Sequence, residues 1–142
     1  MPRPVRLLLA LVLAAGTACS GGDELVGTSW QAVQLGPRPA LPDVVSTISF
    51  DGGEVGGNGG CNSYSGTYEA SSGSGAYGGG ATTLSIRDIV STQIGCEDLV
   101  ASQERYFFDS LEATATYAIT VDRLELLDDD AEMLLAFVRT RT

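Results

Sequence analysis

Apolar and polar side chains alternate at every second residue in several short runs of this chain, and at the helical period in one. Thr28 to Leu35 alternates loosely around Trp30, Ala32 and Val33, which suits a half-buried strand. Gly36-Pro37-Arg38-Pro39 ends it, because proline has no amide to give to a ladder and so bars a central strand. Val44 to Phe50 alternates again, with Val44, Ser46, Ile48 and Phe50 opposed to Val45, Thr47 and Ser49. Asp51-Gly52-Gly53 then offers the positive-φ positions of a tight hairpin, whose second strand starts at Glu54-Val55. The glycines of Gly57-Asn58-Gly59-Gly60 predict a bulge or sharp bend where backbone passes close to backbone. Ser63 to Tyr68 reads as another strand. Ala70 to Ala81 is almost entirely Ser, Gly and Ala, which cannot bury a core and predicts a flexible loop inserted between two strands. Thr82 to Ile86 resumes a strand, and Ile89 to Cys96 carries the chain onward.

From Glu97 the period lengthens. Val100, Phe107 and Leu111, with Leu99, Tyr106 and Phe108 near them, recur at three, four and seven, and predict the single helix. Glu97 and Asp98 fall in its first turn, where carboxylates complement the positive end of the helix dipole. Glu104 is expected to be solvated or pinned to a nearby backbone amide. Thr114-Ala115-Thr116 should end the helix. Tyr117 to Val121, Leu124 to Leu127 and Met133 to Val138 then predict strands joined by two hairpins. The fold class is mainly β with one α-helix, and Trp30, Phe50, Tyr68 and Phe107 are the expected core.

The first residues obey a different pattern. Arg3 and Arg6 precede an apolar run from Leu7 to Ala15, and Gly16-Thr17-Ala18 abuts Cys19. This resembles a bacterial lipoprotein signal, except that Gly16 stands where that pattern prefers leucine. The run is too short to span a bilayer, which takes roughly 20 apolar residues. Residues 1–18 are therefore expected to be a signal peptide removed on export, with Cys19 as the first residue of the mature chain. Acyl chains such as palmitate on the Cys19 thiol would anchor it, each buried CH₂ contributing about 0.8 kcal/mol. Residues 19–24 suit a flexible tether and 25–142 one domain. An ordinary secretory signal, with Cys19 idle, is the competing reading.

Charge narrows the partners. The chain carries 18 acidic residues against 8 arginines, with no lysine or histidine, for a net charge of −10. An acidic surface with no basic cluster argues against nucleic acid, and equally against adhesion to anionic headgroups. Its simplest use in an exported, monomeric domain is solubility. With Cys19 lipidated, Cys61 and Cys96 remain, and outside the cytoplasm such a pair usually forms a disulfide. A redox pair and a metal site are the rivals; the wide spacing of the two cysteines and the lack of histidine favour the bridge.

The search for chemistry yields no catalytic, cofactor or metal residues. The glycines before Cys61 lack the spacing, the lysine and the following helix of a phosphate loop. Asp128-Asp129-Asp130 lacks the alternation of a calcium loop and suits a solvated hairpin tip. There is no histidine base, no G-x-S-x-G and no H-E-x-x-H, and nothing singles out a carboxylate pair for glycoside hydrolysis. A non-enzymatic protein is expected.

Leu25-Val26-Gly27-Thr28-Ser29-Trp30, Ile48-Ser49-Phe50, and Gly60-Cys61-Asn62-Ser63-Tyr64-Ser65-Gly66-Thr67-Tyr68 together resemble the META domain, the family of HslJ-like lipoproteins. Thr92 four residues before Cys96, Glu104 ahead of Phe107-Phe108, Leu111, Tyr117 and Leu124-Glu125-Leu126 continue that order. Gln93 departs from it, since members often carry arginine there. The resemblance implies antiparallel strands curled into an open or cracked β-barrel with a helix packed across it, similar in shape to lipid-binding pilot lipoproteins. It supplies no activity, only a loose link to envelope stress, drug resistance and motility. Two functions are expected on this basis. One is a lipid-anchored accessory protein of the cell envelope, outside the cytoplasm, that engages another envelope protein. The other is a carrier or sensor of a lipid or small amphiphile held in a slot of the barrel.

Overall fold

The computed structural model describes residues 24–72 and 82–141. The expected signal peptide, Cys19, most of the tether and residues 73–81 of the Gly-rich stretch lie outside them. The elements in order are β1 (Thr28–Leu35), β2 (Arg38–Pro39), β3 (Thr47–Asp51), β4 (Glu54–Asn58), β5 (Ser63–Ser72), β6 (Thr82–Ser91), α1 (Asp98–Ala113), β7 (Thr116–Ile119), β8 (Arg123–Leu127) and β9 (Met133–Arg139). All neighbouring strands are antiparallel, and β1 also pairs with β9, from Trp30↔Arg139 to Leu35↔Leu135, which closes eight strands into a barrel. Closure gives nearly every strand a neighbour on both sides. The two-residue β2 lies beside the end of β1 and contains Pro39, in keeping with the edge position proline demands. One join is much thinner than the others: β6 meets β7 through the single ladder pair Thr83↔Thr116. The barrel is cracked there.

Local chemistry accounts for most boundaries. Gly52 and Gly53 turn at φ 55° and 94°, the left-handed region that residues with a Cβ avoid, and so return β3 onto β4. The strand expected from Val44 starts three residues later. Val44 N–H donates to Leu41 in a turn, and Ser46 Oγ donates to the Gly59 carbonyl. At the other end of the barrel Ala70 to Ser72 are not loop, as their composition suggested, but the end of β5. They pair with Leu84, Thr83 and Thr82, and a ladder of backbone hydrogen bonds asks little of its side chains once Tyr68↔Ile86 has set the register.

The interior is filled by side chains. Trp30, Phe50, Phe107 and Phe137 are buried with Leu25, Ile48, Leu84 and Leu135. Tyr68 meets the Phe50 ring edge-on at 5.0 Å, and Phe107 brings the helix onto Tyr64 at 5.8 Å and Phe137 at 6.2 Å. All four expected core aromatics are in it. Trp30 Nε1 donates to Thr28 Oγ1 (2.7 Å), which itself donates to the Leu25 carbonyl (2.6 Å), while the Arg139 guanidinium lies 4.4 Å over the indole.

Tyr64 makes one feature of this core titratable. Its hydroxyl donates to the Thr47 carbonyl at 2.8 Å, and burial pushes the phenol far above its ordinary value near 10. An unfolded chain ionises this phenol above pH 10 while the native chain keeps it neutral. Stability is therefore full below pH 10 and falls as pH rises beyond it, by up to about 1.4 kcal/mol per pH unit from this group. The Tyr64→Phe variant is expected to lose that part of the slope, measured by urea denaturation between pH 9 and 11; an equal slope in both proteins would contradict it.

Candidate functional site

Part of the sequence resemblance, Cys61, Asn62, Thr92, Cys96 and Glu104, comes together beside the first half of α1. Glu104 projects from the helix into the bend before β5 and is only 7% exposed. Its Oε2 accepts the Cys61 and Asn62 amides (2.8 and 2.6 Å) and its Oε1 accepts Asn62 Nδ2 (2.6 Å). Asn62 Oδ1 accepts in turn from the Ile94 amide (2.7 Å) and Thr92 Oγ1 (2.9 Å). Of the two expectations for Glu104, pinning to backbone amides is the one realised. A Cβ on Gly59 would stand 2.6 Å from Phe108 Cζ and 2.9 Å from Glu104 Cγ, so this bend needs glycine for the helix to come down on it. Cys61 is bridged to Cys96, with Cα atoms 6.4 Å apart, in the range such bridges use. The disulfide ties the same bend to the chain entering α1. Every polar atom of this cluster is matched to another, which makes it a clasp between helix and barrel and leaves it little capacity for a ligand.

Asp128-Asp129-Asp130 forms a turn. Asp128 Oδ1 accepts the amides of Asp130 (3.0 Å) and Glu132 (2.9 Å), so this carboxylate holds its own loop. Among the described residues no three of His, Cys, Asp or Glu are grouped to hold a metal ion. No described helix is long and apolar enough to cross a membrane.

Free capacity lies elsewhere, in a groove of about 300 Å³ between α1 and the connection from β1 to β3. Leu35, Pro37, Pro39 and Leu41 form one wall, Leu99 and Tyr106 the other. Pro37 and Pro39 have no amide to give a ladder, which limits this connection's pairing to the two-residue β2 beside the end of β1. Gln103 fixes its far end, accepting the Leu41 amide on Oε1 at 2.8 Å. Its Nε2 is buried and has no hydrogen-bond partner. Arg38 and Ser102 complete the lining, and Arg38 is the only charged residue in it. Leu99 is 72% exposed and Tyr106 40%, large apolar surface for two neighbours on one helix. The amphiphile slot expected in the barrel is not where this apolar space lies; the barrel centre is occupied by Trp30, Phe50 and Phe107.

No motif announces the groove. Its helical wall, Leu99, Ser102, Gln103 and Tyr106, does recur at i, i+3, i+4 and i+7, a second stripe beside the buried one of Glu104, Phe107 and Leu111. That spacing was the available signal. The facing wall comes from residues some sixty positions earlier, as the Leu41–Gln103 bond shows.

Comparison with known proteins agrees with the architecture. A protein from Burkholderia xenovorans solved by NMR superposes with a TM-score of 0.65 at 20% identity, over 83% of this chain and 85% of its own. A DUF4847 family protein from Bacteroides vulgatus, solved by crystallography, gives 0.61 at 16% identity, over 84% of this chain and 97% of its own. At such identities the likeness is one of fold. No curated protein matches the chain. The META domain matches residues 23–141, a span that takes in every described residue, and the chain belongs to the META domain family.

Proposed function

We propose that this META protein is a lipid-anchored, non-enzymatic accessory protein of the bacterial cell envelope, held outside the cytoplasm through Cys19, whose domain acts by binding a small amphiphile. The anchor rests on the charged, apolar and small-residue layout before Cys19. The binding reading is carried by the groove between α1 and the β1–β3 connection, a concave, mostly apolar site with a few polar groups, the general form of small-molecule sites. The described chain begins beside Phe50, where Gly27 N–H donates to the Phe50 carbonyl, whereas the groove opens at the Leu35 end of β1. A strand of this length separates the two by roughly 23 Å. A domain tethered through residues 19–24 would thus present the groove away from its own anchor.

A second reading, docking of another envelope protein, draws on Val90 and Ile94, 69% and 64% exposed along the segment from β6 to α1.

Two measurements test the proposal. Cys19→Ala is expected to move the protein from the membrane to the soluble fraction, and continued membrane retention would refute the lipid anchor. Native mass spectrometry of residues 24–142 from an envelope-containing host is expected to show an added mass that Leu99→Asp removes; identical clean masses would refute the binding role.

A further inference from the structure

The groove's polar groups are unequal in kind, and this assigns an end group to its ligand. Gln103 Nε2 can only donate, is buried, and has no acceptor in the protein. Burying such a donor unpaired is unfavourable, so the site has an unmet need for an acceptor oxygen. Arg38 adds a guanidinium. Among the described residues Arg87 and Arg123 are paired with Glu69 and Glu125, and Arg139 is spent on Trp30 and the Val121 carbonyl. Arg38, like Arg105 and Arg141, has no such partner, but it alone of the arginines lines the groove, and no carboxylate lines it with Arg38. The Ser102 hydroxyl is a third group able to donate. A donor set containing one arginine, at the rim of an apolar cavity, calls for a single planar anion attached to an apolar body. Carboxylate fits the arginine fork and carries one charge. A phosphate dianion would meet more repulsion from a chain of net charge −10.

Resting on the binding role above, we propose that this groove is a receptor for small apolar carboxylates, with the carboxylate on Arg38 and Gln103 and the apolar body between Pro37, Pro39, Leu99 and Tyr106. Its volume of about 300 Å³ is at the small end of ligand sites, which suits a short chain or one ring system. A folded partner would need a far larger face.

The test is calorimetric titration of residues 24–142 with decanoate and with decanol. Decanoate is expected to bind saturably and more tightly than decanol. Arg38→Gln and Gln103→Glu are each expected to weaken decanoate by about tenfold or more, since a hydrogen bond to a charged group is at stake, and to affect decanol far less. Gln103→Glu keeps an oxygen for the Leu41 amide, so the groove wall survives. Leu99→Asp is expected to abolish both ligands. Equal affinity for the two ligands, unmoved by Arg38→Gln and Gln103→Glu but lost in Leu99→Asp, would overturn the carboxylate assignment and leave the apolar groove standing. Failure of both ligands to bind would overturn the assignment and the groove reading together.

Discussion

Replacing Glu104 by alanine is expected to cost roughly 3–5 kcal/mol of folding stability, the range for breaking one side of a buried charged network. The truncation leaves three donors facing an empty space: the Cys61 and Asn62 amides and Asn62 Nδ2. The bend that carries them is sealed over by Phe108 and lies against glycine, so water has little room to substitute. Glu104→Gln is expected to fall between, because its oxygen serves the two amides while its NH₂ group meets Asn62 Nδ2, donor against donor. Urea denaturation of the three proteins measures the series. A loss under 1 kcal/mol for Glu104→Ala would show that the helix is held by its aromatic face alone.

The second large effect belongs to the disulfide. Cys61 and Cys96 are 35 residues apart in sequence. Opening a loop of this length on the chain-entropy account removes on the order of 4 kcal/mol. For a domain of this size that corresponds to a fall of roughly 15 °C in melting temperature. The Cys61→Ala, Cys96→Ala double variant measures it by thermal unfolding, and an unchanged melting curve would deny the bridge its stabilising role. Because Cys61 N–H is also a ligand of Glu104, the two losses are coupled. The combined variant is expected to lose less than the separate losses together, since once the bend is free the carboxylate has less left to hold.

How legible the fold was depended on whether side chains or backbone decide each element. The alternation around Trp30 and Ala32 placed β1 at Thr28–Leu35, because burial on one face writes itself into the sequence. The helix was equally plain from Phe107 and Leu111, and Thr114 does end it. Ala70 to Ser72 were misread because a strand end held by its ladder needs no apolar residue. Closure of the barrel was beyond local pattern, since the Trp30↔Arg139 pair joins residues from opposite ends of the domain. Family resemblance supplied the curled sheet where periodicity could not. The Glu104–Asn62 clasp was visible as a set of residues but not as a geometry. The groove was harder still: half of it was an extra stripe on α1, and the other half a proline-rich connection that looked like mere punctuation.

The seam at Thr83↔Thr116 sets the way in which this barrel can fail. Elsewhere each strand is laced to the next over several residues, so thermal breathing should begin where β6 and β7 part. Parting there bares two edges at once, the threonine-rich start of β6 and the short β7, and turns a closed cylinder into an open ribbon with complementary ends. Two molecules opened in this way could join edge to edge, β6 of one to β7 of the other, each completing its neighbour's ring. Concentration and heat would then yield reciprocally exchanged pairs of the same fold before any unfolded aggregate, with Thr82–Leu84 and Thr116–Ile119 as the amides that lose hydrogen-exchange protection first.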